Sequence, residues 1–141
     1  MDILVCRLRY PNDPTGNVRP HQHYVGYAGD DGITLYSISS ILGKEKRVYS
    51  AGGNAHPHYY LLKGQQMTDC CLKVPSFIDC TKAYRLELTK AIKITNLSHR
   101  TIPQHIKNGI DAKITELKSL GRHTEYSIRM NEFVADNPKC R

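Results

Sequence analysis

The chain opens with apolar side chains on both sides of an extended backbone. Over residues 1–9, Ile3 and Val5 alternate with Leu4, Cys6 and Leu8 before charge enters at Arg7 and Arg9, which predicts a strand buried on both faces. Residues 11–17, Pro-Asn-Asp-Pro-Thr-Gly-Asn, are a dense set of turn formers and predict a loop of some length. A second extended stretch covers about 20–27, and Gly29-Asp30-Asp31-Gly32 predicts a turn before a third strand at 33–38, rich in β-branched and aromatic residues. Residues 43–57 predict another long loop, basic at Lys44, Lys46 and Arg47 and Gly-rich at Gly52-Gly53. Further strands are expected at 58–62, 76–80 and 84–88. Short strands separated by frequent turn signals point to a small barrel or a rolled antiparallel sheet.

The period changes after residue 100. Ile102, Ile106, Ile110, Ile114 and Leu117 recur at helical spacing, with Lys107, Asp111, Lys113 and Lys118 on the other faces. This predicts one long amphipathic helix over about 102–120, with Thr101 as its cap, Pro103 in its first turn and Gly121 at its end. Gly109 inside the run weakens it by about 1 kcal/mol relative to Ala. The stripe is either a core face laid on the sheet or a groove for a partner. Beyond it, Tyr126, Ile128 and Met130 alternate with polar residues and predict a last strand, and 137–141 read as a frayed tail. The expected fold is α+β, mainly β, in one domain over 1–141. Its β-rich part spans about 1–90, its helix about 102–120, and its last strand and tail 124–141.

A length of 141 residues suits one domain. The 40% hydrophobic and 23% charged residues are an ordinary globular balance. No run approaches the roughly 20 apolar residues of a membrane span, and the opening lacks the basic start of a signal peptide. A cytoplasmic, non-membrane protein is expected. The five cysteines are read as reduced thiols rather than a disulfide framework. Twenty Lys and Arg against thirteen Asp and Glu give a formal charge of +7, which favours a polyanionic partner. Most of that surplus lies between Arg85 and Arg122, however, on and around the predicted helix.

Three constellations could carry chemistry. In the first, Arg19-Pro20 leads into His21-Gln22-His23, and a strand period of two puts Arg19, His21 and His23 on one face. A guanidinium that grips phosphate oxygens beside an imidazole that moves a proton suits phosphodiester chemistry. The two histidines could equally line a half-exposed face beside tyrosine. In the second, His56-Pro57-His58 adjoins Tyr59 and Tyr60 downstream of the basic loop, where rings could stack the bases of a single strand. Without a Cys-x-x-Cys spacing, neither these histidines nor Cys70-Cys71 read as a zinc site, and no metal or other cofactor is expected. The third is Ser37, Ser39 and Ser40 at the end of the third strand, hydroxyls suited to orienting a phosphate. A Gly-x-Ser-x-Gly elbow, a Walker loop and a Gly-x-Gly-x-x-Gly are all absent, which argues against hydrolase-type serine chemistry and nucleotide-binding folds.

In order and spacing, these features resemble the MazF/PemK-like toxins. The residues that carry the resemblance are Met1-Asp2-Ile3-Leu4-Val5, Thr15-Gly16-Asn17-Val18-Arg19-Pro20, the third strand from Asp31 to Ser39-Ser40, and Leu72-Lys73-Val74-Pro75-Ser76-Phe77-Ile78-Asp79. The match runs over about 1–90. It implies a small SH3-like barrel and a metal-independent endoribonuclease cutting single-stranded RNA, with the ribose 2′-hydroxyl attacking the adjacent phosphorus. Carried over, Arg19 stabilises charge on the phosphate and Ser39 holds an oxygen. The resemblance also implies a homodimer and an acidic antitoxin peptide as partner. Two departures stand out: His21-Gln22-His23 follows Arg-Pro where relatives have apolar residues, and Lys82-Ala83 stands where the family often carries Arg-Thr. They imply either an acid–base set that includes His21 or His23, or a barrel that keeps the fold without the cut. The expected catalytic residues are therefore Arg19, Ser39, His21 and His23. Ser40, Lys44, Lys46, Arg47, His56, His58 and Tyr59 are expected to bind nucleic acid. The alternative is a non-catalytic nucleic-acid- or protein-binding module of phage or mobile-element origin.

Overall fold

Alternating apolar positions build a sheet that is covered on both faces. A computed structural model describes residues 1–11, 13 and 18–141; the rest of the turn-rich loop, including Thr15-Gly16-Asn17 of the family match, lies outside the described residues. Among the described residues there are eight strands: β1 (Ile3–Arg7), β2 (Pro20–Gly29), β3 (Gly32–Ser40), β4 (Tyr59–Leu62), β5 (Ser76–Asp79), β6 (Lys82–Glu87), β7 (His99–Arg100) and β8 (Thr124–Ser127). Four helices accompany them: α1 (Glu45–Val48), α2 (Gly64–Asp69), α3 (Gln104–Ser119) and α4 (Met130–Asp136). The strand order is β4-β5-β3-β2-β1-β7, with β6 branching from β3 and β8 lying parallel beyond it. The other pairings are antiparallel, and among the described residues the sheet is not closed into a ring. No helix among the described residues is long and apolar enough to cross a membrane.

β3 organises the molecule. One edge pairs with β2 as far as Ser37. The other edge pairs first with β6, from Gly32 to Leu35, and then with β5, from Ile38 to Ser40. Its side chains divide as strand alternation requires. Tyr36 and Ile38 join Ile3, Tyr24 and Ile78 in one core, while Ile33 and Leu35 join Leu4, Val25, Tyr84 and Leu86 in the other.

α3 lays Ile106, Ile110, Ile114 and Leu117 into the first core, continuing from Ile102. The isoleucine stripe is thus a core face. A polar cluster fixes the helix to the sheet: the Tyr24 hydroxyl donates to Asp111, and Lys107 lies 3.7 Å from Asp2 and 3.8 Å from Asp111. Gly109 is a packing requirement here. A Cβ at that position would come within 2.7 Å of the Tyr60 hydroxyl and 3.2 Å of its ring. The helix ends at Gly121 as expected: its φ is +67°, its N–H donates to Lys118, and the Arg122 N–H reaches back to Leu117, the double closure of a Schellman motif.

Several expectations are corrected. Thr101 does not cap α3; the position before its first turn is Pro103, and no side chain caps it. Ahead of the helix, the Ile102 N–H donates at 3.0 Å to Asp2, the residue just before β1. The last strand stops at Ser127, because Met130 opens α4, whose Phe133 fills the second core with Ile128. Residues 137–141 are not frayed. Asn137 and Cys140 are buried, and the Asn137 side chain accepts the Arg7 N–H at 2.9 Å and donates to the Arg7 carbonyl at 2.8 Å. One amide thus satisfies an edge of β1 that would otherwise need a further strand. The predicted loop over 43–57 contains α1.

Candidate functional site

Where β3 exchanges β6 for β5, neighbouring strands part and a cleft of about 250 Å³ opens. Its apolar lining is the buried Ile38 and Tyr84. Ser37 and Ser39, two apart on β3, share its rim with His21 from β2 and Tyr10 from the segment after β1. Asp79 at the end of β5, Lys82 at the start of β6 and Arg47 from α1 supply the charge, and Asp13 also lines the opening.

His21 and His23 have different fates. His21 lines the cleft, its ring centroid 6.4 Å from that of Tyr10. Loss of hydration at the cleft, then the positive charges of Lys44 and Arg19, lowers its pKa below the ordinary 6.5. The imidazole is therefore neutral at pH 7 and able to take a proton. His23 is completely buried. Its Nε2 lies 2.6 Å from the Tyr10 hydroxyl and its Nδ1 3.5 Å from the Cys6 sulfur, and burial lowers its pKa to about 3. The expectation that His23 acts directly on a substrate is corrected: the strand face that carries both rings runs from the cleft into the core. The Tyr10 hydroxyl links His23 to the cleft.

Arg19 is exposed and does not line the cleft, although its charge reaches His21. Arg47 has a more constrained position. Its Nε donates to the Tyr59 hydroxyl at 3.1 Å, and its guanidinium lies 5.8 Å from the ring centroids of both Tyr59 and Phe77. The hydrogen bond to Tyr59 is the main reason its pKa is raised, so it stays charged. Arg47 and Lys82 each approach Asp79 Oδ2 at 3.9 Å, and Oδ1 accepts from the Thr81 N–H at 3.0 Å and hydroxyl at 2.5 Å.

The remaining expected residues divide around this centre. Lys44 does not line the cleft; it lies 6.0 Å from the Phe77 ring centroid and its charge reaches His21, whereas Lys46 lines a separate surface depression with Tyr49 and Ala51. The Ser40 hydroxyl accepts the Leu42 N–H at 3.2 Å and serves the turn after β3. His56 and His58 meet edge to face, 4.3 Å between centroids, and His56 lies 5.6 Å from the Tyr59 ring. They form an aromatic shelf that continues through Tyr59 to Phe77 at 4.9 Å. Burial and the charges of His56 and Arg122 lower the His58 pKa. Among the described residues, no group of three or more His, Cys, Asp and Glu is disposed to hold a metal ion.

Tyr10, Asp79, Lys82 and Tyr84 are missed when the sequence is read alone. Asp79 and Tyr84 sit in strand-forming runs that read as core, and Tyr10 sits beside a loop. The one available signal is the charged Asp79 and Lys82 around a tight turn, which local pairing explains equally well. No protein-family model matches the chain, and no curated protein matches it.

Proposed function

We propose that the protein is a metal-independent endoribonuclease of single-stranded RNA, built on an open variant of the SH3-like, MazF/PemK-type barrel. What supports the reading is the meeting of His21 and Ser39 in one cleft beneath the positive charges of Arg47 and Lys82. His21, neutral at pH 7, takes the proton of the ribose 2′-hydroxyl. The 2′-oxygen bonds to phosphorus as the bond to the 5′-oxygen breaks, giving a 2′,3′-cyclic phosphate. Water supplies the proton for the leaving 5′-hydroxyl. Ser39 holds a phosphate oxygen, and Arg19 and Lys44, whose charges both reach His21, stabilise the charge that develops. The need for a 2′-hydroxyl selects RNA over DNA. The toxin role, the acidic antitoxin peptide, the homodimer and the cytoplasmic setting rest on the sequence resemblance.

One observation favours the alternative, an RNA-binding module that does not cut. Arg19, the residue the resemblance makes essential, stands outside the cleft lining. The two readings part on a denaturing gel. Purified protein should fragment single-stranded RNA in EDTA, and Arg19→Ala and His21→Ala should each reduce this at least tenfold. Binding that weakens with salt, with RNA intact for wild type and both variants alike, establishes the binding module instead.

A further inference from the structure

A buried carboxylate is an odd component of a cleft meant for a polyanion, and Asp79 calls for a use. Its side chain is 8% exposed, against 52% for Arg47 and 39% for Lys82. Oδ1 is occupied by Thr81. Oδ2 faces two cations at 3.9 Å, beyond hydrogen-bond length. The cations come from different elements, α1 and β6. One wall of the cleft thus offers an acceptor accompanied by two donors, beside the apolar surfaces of Ile38 and Tyr84.

We infer that this wall is a base-recognition site for uracil. Uracil presents acceptor, donor, acceptor along its pairing edge: O4, N3–H and O2. Asp79 Oδ2 accepts N3–H, and Arg47 and Lys82 donate to the two carbonyl oxygens. The other bases fit less well. Cytosine turns the unprotonated N3 lone pair toward the carboxylate and an amino group toward a cation. Adenine likewise presents an unprotonated ring nitrogen beside an amino group. Guanine satisfies one cation and the carboxylate but sets its 2-amino group against the second cation. Discrimination of this kind comes from buried polar groups left unpaired by the wrong partner. A cleft of about 250 Å³ accommodates one base, leaving its phosphate and ribose at the rim with His21, Ser37 and Ser39.

This inference rests on reading the cleft as an RNA site, and the test separates the two claims. Fluorescence anisotropy on 2′-O-methyl oligomers of U, C, A and G measures binding without cleavage. The U oligomer should bind roughly tenfold more tightly than the C oligomer. Replacing its bases with N3-methyluridine should abolish that preference, as should Asp79→Asn. The methylated ligand keeps the test decisive if Asp79→Asn fails to fold. Equal binding of all four oligomers overturns the inference, as does a U preference untouched by N3 methylation. All-ribose oligomers scored in parallel report on cleavage. If they are cut with no U preference, the base site falls and the nuclease stands; a U preference without cutting has the opposite meaning.

Discussion

The Tyr10 hydroxyl lies 2.6 Å from Nε2 of His23, which joins a residue on the rim of the cleft to one wholly inside the core. Tyr10 also packs edge to face on Tyr84 at 4.9 Å. Tyr10→Phe keeps the ring contact and leaves His23 Nε2 without its partner. It should lower stability by about 1–3 kcal/mol, the cost of a buried polar group left unpaired, read from the urea midpoint. A loss below about 0.5 kcal/mol would mean that water replaces the hydroxyl.

His23 makes stability depend on acid. Its folded pKa of about 3 lies below the ordinary 6.5, so the unfolded chain binds a proton that the native state refuses. Its contribution is fully present above pH 6.5 and is lost as pH falls toward 3, at up to roughly 1.4 kcal/mol per pH unit. His21, His58 and His123, also lowered, act in the same sense. His23→Gln should therefore flatten, without abolishing, the decline in urea midpoint between pH 7 and pH 4. Identical slopes for wild type and variant would contradict this account.

Cleavage should report on His21 through its pH profile. As a base with a lowered pKa, His21 predicts a rate that falls on the acid side below the ordinary histidine range. Lys44 is one of the charges that lower it. Lys44→Ala should thus move the acid limb to higher pH. A limb that stays in place while only KM rises would restrict Lys44 to binding RNA.

Gly109→Ala should run against helix propensity. An exposed helical glycine replaced by alanine gains about 1 kcal/mol. At 109 the new Cβ meets the Tyr60 hydroxyl at 2.7 Å, and overpacking costs about 1–3 kcal/mol. Net destabilisation is expected in thermal unfolding. It should shrink in a Tyr60→Phe background, where the closest atom is gone. A stabilised Gly109→Ala would show that Tyr60 swings away freely.

The chain's own pattern determined a good deal. Periods of two and near 3.6 located β1 to β6 and α3 within a few residues, and the stripe from Ile102 to Leu117 was legible as a buried face because the spacing of apolar side chains is a local property. So were Gly121 as a helix end and the pairing of Ser37 with Ser39 on one face of β3. What only the tertiary structure decided depends on contacts between residues distant along the chain. Alternation predicts that His21 and His23 share a face, but where that face passes from cleft into core is set by Tyr10 and Cys6 packing over it. Asn137 belongs to the core because Arg7 needs its amide, and Gly109 is glycine because Tyr60 lies against it. The cleft itself exists because β3 exchanges one neighbour for another between Leu35 and Ile38. Its charged residues, Asp13, Arg47, Asp79 and Lys82, come from separate parts of the chain that only the fold brings together.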